Sequence, residues 1–345
     1  MSSSVPVEVL QDILTPTVYG ELRIRESLLE GEWLGMTFER ADIDRQTLNR
    51  VQELLSDSLS HLQIELRSGN TISLGGKGFG PNRHLVAVLG GKGGVGKSTI
   101  AVNLALTLSA MGQKVGMLDG HINAPDVHHL LGLPPQASHE DREWELWRSS
   151  ILPPSRRRSP MRRCDLDIVS IGLEFHEKAV PSISGREMIA ALFRHLVFET
   201  RWDSEIVIID VPPGSGDEVQ MLLRHLPISG AVLVTTPQDL AQMDAGRTVT
   251  LLQQVSVPVV GVVQNMAWLV CPHCDEVIDL YRHSSRLEDL GIPVLARIPF
   301  DIALSSGADR GVPLVLNDRT RIVSREFAGL GRHVLDSLTN EERSK

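Results

Sequence analysis

Residues 84–112 have the sequence HLVAVLGGKGGVGKSTIAVNLALTLSAMG, and this stretch decides the fold of the chain. The apolar run His84–Leu89 predicts a buried β-strand. A glycine-rich loop follows the strand directly, and an apolar segment long enough for a helix begins at Lys97. A strand, a loop of glycines and a helix in this order predict a site for phosphate at the end of the strand.

The loop fits the phosphate-binding P-loop pattern, in which a glycine is followed after four residues by Gly-Lys-Ser. Glycines let the backbone approach a polyphosphate closely, and successive N–H groups can then surround it. Lys97 is expected to balance the charge of the β- and γ-phosphates of ATP, and Ser98 to offer its hydroxyl to Mg²⁺. The residues predicted to bind the nucleotide are Gly91, Gly93, Gly94, Val95, Gly96, Lys97, Ser98 and Thr99.

Two aspartates follow apolar strands, as the catalytic carboxylates of a P-loop ATPase do. Asp210 ends EIVIID and precedes the glycine-containing VPPGSGD, so it can hold Mg²⁺ through water. Asp119 ends KVGMLD and can organise the metal or the attacking water. A structural capping role is the alternative for each. With Lys97, both aspartates are predicted catalytic residues.

The sequence CPHC places Cys271 and Cys274 three positions apart, a spacing that suits one metal ion or an iron–sulfur cluster. With only Cys164 left over, one chain cannot build a site of four cysteines. Two chains related by a two-fold axis would supply four thiolates, which favours a metal or a cluster at a dimer interface. The alternatives are a redox dithiol, a shared zinc site and an inert structural pair.

Beyond the loop, short apolar runs alternate with longer amphipathic stretches. This alternation predicts an α/β fold with a mainly parallel sheet and helices on both faces. The predicted strands are His84–Leu89, Lys114–Leu118, Leu166–Ile171, Glu205–Asp210, Ala231–Thr235, Val257–Val263 and Val294–Ala296.

Residues 69–83 are polar and rich in glycine, which predicts a flexible linker. It separates a small α/β domain at 1–68 from the P-loop domain at 84–340. The predicted elements of the small domain are a helix at Val5–Ile13, a strand at Glu32–Phe38, a helix at Asp44–Leu59 and a strand at Leu62–Leu66.

Composition narrows the classes of partner. Of the 345 residues 42% are hydrophobic and 22% are charged, as in ordinary globular proteins. The net charge of -9 argues against broad nucleic-acid binding. The apolar runs are too short to cross a bilayer, and the first residues lack the pattern of a secretory signal. We therefore expect a cytoplasmic protein with neither nucleic-acid nor membrane partners.

Five motifs together resemble the Mrp/ApbC family of iron–sulfur cluster carrier ATPases, which have the deviant P-loop of the MinD/Mrp class. They are GGKGGVGKST, IIDVPPGSGD, GAVLVTTPQDLAQMDAGR, GVVQNMAWLVCPHC and IPVLARIPFD. The resemblance implies an ATP-binding homodimer that holds a bridging [4Fe-4S] cluster on Cys271 and Cys274 of both subunits and passes it to apo-proteins. It also implies that Lys92 reaches the partner's nucleotide as a catalytic residue, and that Asn265 lies near the adenine.

Some segments depart from this family. His121 replaces the acidic residue expected to assist hydrolysis, so we predict slow ATP turnover. The segment Arg156–Arg163 (RRRSPMRR) has no family counterpart and is expected to be a solvated loop, with docking of an acidic client as the alternative. Residues 1–68 faintly resemble the small iron–sulfur-assembly domain often fused to Mrp proteins. The rival function is that of a MinD/ParA-type positioning ATPase, whose basic tail or cationic face is not evident here.

Overall fold

A computed structural model of the chain describes residues 24–30, 33–38, 63–68, 83–134, 159–173, 200–281 and 291–343, together with single positions within 50–55 and 189–197. The predicted helix Val5–Ile13 and nearly all of the predicted linker lie outside these residues. No helix in the described part of the chain is both long and apolar enough to cross a bilayer.

A separate three-stranded sheet precedes the P-loop. Its strands are β1 (Ile24–Glu30), β2 (Trp33–Phe38) and β3 (Gln63–Ser68). The central strand β2 is antiparallel to β1 and parallel to β3. The two predicted strands lie within two residues of β2 and β3, whereas β1 was not predicted. Within the predicted helix Asp44–Leu59, Val51 and Leu55 are helical and buried, and their spacing of four residues places them on one face.

The main sheet has eight strands in the order β13-β10-β9-β4-β8-β5-β7-β6. Every neighbouring pair is parallel except β6 and β7, so the predicted fold class is confirmed. The strands are β4 (His84–Leu89), β5 (Val115–Asp119), β6 (Met161–Arg163), β7 (Leu166–Val169), β8 (Ile206–Asp210), β9 (Ile228–Thr235), β10 (Val259–Gln264) and β13 (Val294–Arg297).

All seven predicted strands of this sheet are present, with ends that differ by up to three residues. The prediction of a loop is wrong for Met161–Arg163, which form the antiparallel edge strand β6, whereas Arg162 and Arg163 are exposed as predicted. Arg162 Nε lies 3.1 Å from a carboxylate oxygen of Asp167, which is buried on the neighbouring strand. This charge pair and the strand ladder hold Met161–Arg163 against the sheet.

Helices cover both faces of the main sheet. They are α1 (Lys97–Ala110), α2 (Val127–Leu130), α3 (Asp217–His225), α4 (Asp239–Gln254), α5 (Ile302–Asp309), α6 (Leu314–Asn317) and α7 (Ile322–Arg343). Alternate residues of β4 point to two different cores, because successive strand side chains face opposite ways. Leu85 and Leu89 pack with α3 and α4, and Val86 and Val88 pack with α1 and α7.

Parallel pairing brings the carboxyl ends of the central strands to one edge of the sheet. There the P-loop follows β4, and Asp119 and Asp210 end β5 and β8. The segment after β10 at the same edge leads into a small antiparallel hairpin of β11 (Trp268–Val270) and β12 (Val277–Asp279). Ligands of open α/β sheets bind at this edge, so the predicted site residues converge on it.

Candidate functional site

The P-loop turns sharply between β4 and α1. Gly94 and Gly96 have φ of 77° and 89°, a left-handed conformation that side chains disfavour. A Cβ on Gly93 or Gly94 would meet nothing within 4 Å, whereas one on Gly91 would overlap the backbone of Asp244. Two of these glycines therefore leave the loop open toward a ligand, and Gly91 permits close packing of the loop on α4.

Lys97 lies at the base of the loop with only 7% of its surface exposed. Its Nζ lies 3.5 Å from the carbonyl of Lys92. Burial lowers the pKa of Lys97, and the nearby carboxylates of Asp210 and Asp126 act in the opposite direction. The geometry thus places a largely desolvated ammonium where the P-loop pattern expects phosphate oxygens.

Asp119 and Asp210 are direct partners in the register of β5 and β8. Asp119 is fully buried and accepts hydrogen bonds from Ser170 Oγ at 2.8 Å and from the N–H groups of His121 and Val127, each at 3.1 Å. Burial, and then repulsion from Asp210, raise the pKa of Asp119 to about 8. Three donors show that Asp119 also organises the loop that follows β5.

Asp210 differs, because both of its carboxylate oxygens are buried and no hydrogen bond of normal geometry reaches them within the described residues. Burial raises its pKa to about 7, although the nearby Ser98 hydroxyl and Lys97 ammonium favour the charged form. Buried carboxylates normally have partners. A hydrated Mg²⁺ beside Ser98 would supply them, so the residues present fit the Mg²⁺ of a bound nucleotide.

The loop after Asp119 adds a residue that the motif analysis did not select. Asp126 precedes α2, and its carboxylate acts electrostatically on both Lys97 and Asp210. His121, in the same loop, is half-buried. Asn123 hydrogen-bonds Glu218 at the start of α3, which joins the loops that follow β5 and β8. No motif in the sequence marks Asp126, and only its position in the loop after Asp119 relates it to the site.

Asn265 directly follows β10 and is 3% exposed. Its side-chain Nδ2 donates to the carbonyl of Val95 in the P-loop at 2.9 Å, and its backbone N–H donates to the carbonyl of Thr235 at 2.7 Å. A Cβ on Gly96 would overlap the Asn265 amide. Asn265 therefore contacts the loop backbone itself, a contact that the sequence did not predict.

Lys92 is exposed at the tip of the loop, while Ser98 and Thr99 are half-buried at the start of α1. The Lys92 residue is thus exposed, although its backbone carbonyl faces the buried Lys97 ammonium. An exposed lysine at this place is available to a second molecule.

Cys271 and Cys274 lie in the turn between β11 and β12. Cys271 N–H donates to the carbonyl of Glu276 at 2.8 Å, and Asp275, with a φ of 59°, donates its N–H to the carbonyl of Cys271 at 3.0 Å. The N–H groups of His273 and Cys274 and the Cys274 thiol lower the pKa of Cys271. Donors directed at sulfur stabilise a thiolate, the form that binds metals.

The two thiols form an incomplete site within one chain. Across the described ranges, no group of three or more His, Cys, Asp or Glu residues is placed to hold a metal ion. Cys274 is exposed, whereas Cys164 is half-buried, packs against the core on the α1 face and has a φ of 51°. Cys164 therefore takes no part in the hairpin site.

Comparison with known proteins finds relatives of the part of the chain that carries the P-loop. Residues 82–335 match the ParA family model described as NUBPL iron-transfer P-loop NTPase, so the match begins after residues 1–68. A protein of Methanococcus maripaludis named iron-sulfur cluster carrier protein is 36% identical over 264 residues, which are 75% of this chain and 86% of that protein. A similarly named protein of Methanocaldococcus jannaschii is 31% identical over 265 residues, 75% of this chain and 87% of that protein.

Among solved structures, a nucleotide-binding protein of Archaeoglobus fulgidus in complex with ADP is similar, with a TM-score of 0.52 and 29% identity over 66% of this chain and 86% of that chain. These matches agree with the resemblance inferred from the five motifs, and they rest on the segment that carries the P-loop and the hairpin. The chain belongs to the family of NUBPL iron-transfer P-loop NTPases.

Proposed function

We propose that this protein is an ATP-binding carrier that holds a [4Fe-4S] cluster between two identical subunits and transfers it to apo-proteins. The observation that carries the proposal is the hairpin half-site. Two neighbouring thiols, one of them exposed, lie at the same sheet edge as the P-loop. A second copy would supply the two further thiolates that a cubane cluster takes from cysteine.

The nucleotide half of the proposal rests on the buried charges. Lys97 would face the β- and γ-phosphates, and Ser98 and Asp210 would hold Mg²⁺, directly and through water. The orphaned oxygens of Asp210 and the desolvated ammonium of Lys97 support this assignment. When bound, Mg²⁺ would neutralise phosphate charge. Asp119 stays a predicted catalytic residue, and its three hydrogen bonds also support a role in positioning the adjacent loop. His121 in place of an acid supports slow hydrolysis.

The dimer is supported by the surface around the same edge. Lys92 is exposed and could reach a partner's nucleotide. Large apolar side chains are also exposed there, on the first turns of α4, on the hairpin and after β13. They include Leu240, Met243, Val270, Phe300 and Ile302, with exposures of 66%, 40%, 36%, 46% and 73%. Clustered apolar exposure is typical of interaction surfaces.

The names of the relatives support a cluster carrier over the alternative function of a MinD/ParA-type positioning ATPase. Two relatives above 30% identity are named iron-sulfur cluster carrier protein. The MinD protein in its complex with MinC from Aquifex aeolicus shares the fold, with a TM-score of 0.54 at 20% identity over 73% of this chain and 96% of that chain. That likeness concerns the fold alone, and a positioning ATPase gives no reason for the CPHC hairpin.

The test is anaerobic reconstitution with iron and sulfide, followed by measurement of both elements and the visible spectrum. The wild type is expected to take up four iron and four sulfide per dimer, consistent with one bridging cluster. Cys271→Ser should lose the cluster, whereas the control Cys164→Ser should retain it. Equal cluster content in Cys271→Ser, or none in the wild type, would refute the carrier function and leave a nucleotide-binding switch.

A further inference from the structure

We propose that Asn265 and Met266 form a relay that couples phosphate binding at the P-loop to the position of the Cys271–Cys274 hairpin. The relay deepens the proposed function and rests on it for its biological use, because it concerns how nucleotide and thiols communicate. Its structural basis is a continuous set of contacts from the P-loop backbone to the hairpin.

The first contact of the relay joins the Asn265 side chain to the peptide unit between Val95 and Gly96. The Val95 carbonyl, which accepts from Asn265 Nδ2 at 2.9 Å, shares a planar trans peptide with the N–H of Gly96. In a P-loop such N–H groups are directed at the α- and β-phosphates. Because C=O and N–H of one peptide point in opposite directions, a phosphate bound on one side would polarise the same peptide unit that Asn265 contacts on the other side. Hydrogen bonds in such a chain strengthen one another.

The second feature is that Asn265 has little freedom to move independently of the loop. Its backbone N–H is tied to Thr235 on the neighbouring strand at 2.7 Å, and its side chain is 3% exposed. The Cα of Gly96 approaches the Asn265 amide so closely that a Cβ there would overlap it. A change in the P-loop backbone at Gly96 must therefore displace the amide of Asn265.

Met266 is the residue through which a displacement of Asn265 would be transmitted toward the hairpin. Its φ is 53°, a left-handed conformation that is unfavourable for a residue with a side chain. Its Cε would lie 3.9 Å from a Cβ built on Gly96. Strained backbone persists only where the surroundings fix it on both sides. Here the P-loop and β9 hold the preceding residue, Asn265.

On the far side of Met266, backbone hydrogen bonds fix the start of the hairpin. Ala267 N–H donates to the carbonyl of Ile298 at 3.0 Å, and Phe300 N–H donates to the carbonyl of Trp268 at 2.6 Å. Trp268 begins β11, which ends at Val270, next to Cys271. Met266 is thus the single residue between a segment fixed to the nucleotide loop and a segment fixed to the thiol hairpin.

The test measures the reactivity of the thiols in protein without a cluster. Reduced protein is treated with iodoacetamide with and without saturating Mg–ADP, and alkylation of each cysteine is followed by peptide mass spectrometry. Light scattering confirms that the protein is dilute enough to stay monomeric, so that association does not cover the thiols. In the wild type, Mg–ADP should slow alkylation of Cys271 and Cys274 about fivefold, the factor for one hydrogen bond of about 1 kcal/mol. Cys164 is the internal reference.

Met266→Gly and Asn265→Ala should each reduce this response to less than about twofold, while calorimetry shows that ADP still saturates the protein. Ser256→Gly is the matched control. Ser256 is exposed, has a φ of 55° and precedes the amino end of β10, so relief of its strain should leave the response unchanged. The relay would be refuted if Mg–ADP left the alkylation rates of the wild-type thiols unchanged, or if the two relay variants kept the full wild-type response. Cluster content is measured separately, so this outcome leaves the carrier function standing.

Discussion

At the scale of single residues, the left-handed glycine at the base of the P-loop gives a sharp test of nucleotide binding. Gly96→Ala places a Cβ against Asn265 at a φ of 89°. We expect the substitution to destabilise the protein by about 1–2 kcal/mol and to weaken Mg–ADP binding by at least about tenfold, measured by urea unfolding and calorimetry.

Gly112 provides the control for this substitution. It has a φ of 88°, but a Cβ there would meet nothing within 4 Å. Gly112→Ala should therefore show a similar loss of stability with unchanged affinity for Mg–ADP. Equal affinity in the two variants would mean that contact with Asn265 has no part in shaping the loop.

The P-loop residues could be predicted because the residue types that bind phosphate are contiguous in the sequence. The bond between Asn265 and Val95 joins residues 170 positions apart, and it exists only because parallel pairing brings the ends of β4, β9 and β10 together. Asp126 was missed for the same reason. Nothing near it in the sequence shows that Lys97 and Asp210 lie close to it.

At the scale of the elements, the paired ends of β5 and β8 predict a dependence of stability on pH. Burial raises the pKa values of Asp119 and Asp210 to about 8 and about 7, above the ordinary value of 3.8. The folded state therefore binds more protons than the unfolded state between about pH 4 and pH 8. Without Mg²⁺ and nucleotide, the free energy of unfolding should fall as the pH rises through this range.

Urea unfolding at pH 5 and pH 8.5 measures this effect. Asp210→Asn should reduce the fall by at least about 1.4 kcal/mol, the equivalent of one pKa unit. Asp165→Asn removes an exposed carboxylate and should leave the pH dependence of the wild type unchanged. The same pH dependence in all three proteins would contradict the assignment of two buried carboxylates with raised pKa values.

Elements were predictable where the periodicity was strong. The central strands of the main sheet are continuous apolar runs, because both of their faces are buried. Two edge strands were missed, since β1 (IRESLLE) lacks a clean alternation and β6 (MRR) is short and basic, whereas the edge strands β3 and β13 were predicted. In β6 the pairing with β7 and the charge of Asp167 decide the conformation, and neither can be read from the segment itself.

At the scale of the whole molecule, the exposed apolar edge predicts nucleotide-dependent dimers. Leu240→Asp places a charge on the first turn of α4, where Leu240 is 66% exposed, and should raise the dimer dissociation constant at least about tenfold. Lys92→Ala should have a similar effect if that lysine reaches the partner's phosphates. Light scattering at several protein concentrations, with Mg²⁺ and a non-hydrolysable ATP analogue, measures both.

Gln253→Asp is the control, because it adds the same charge to an exposed position near the other end of α4. This variant should associate like the wild type. If all three variants associate like the wild type, the carboxyl edge of the sheet is not the surface that joins the subunits.

The hairpin half-site has a consequence for the protein as a population of molecules. Under the proposed carrier function, one chain contributes two thiols and does not hold a four-iron cluster alone, so the concentration of loaded dimers depends on the square of the free subunit concentration. Halving the amount of protein would then lower the loaded dimers about fourfold in the dilute limit. Dilution alone would therefore favour release of the cluster. Synthesis of more subunits would raise the number of cluster-loaded dimers faster than the number of subunits.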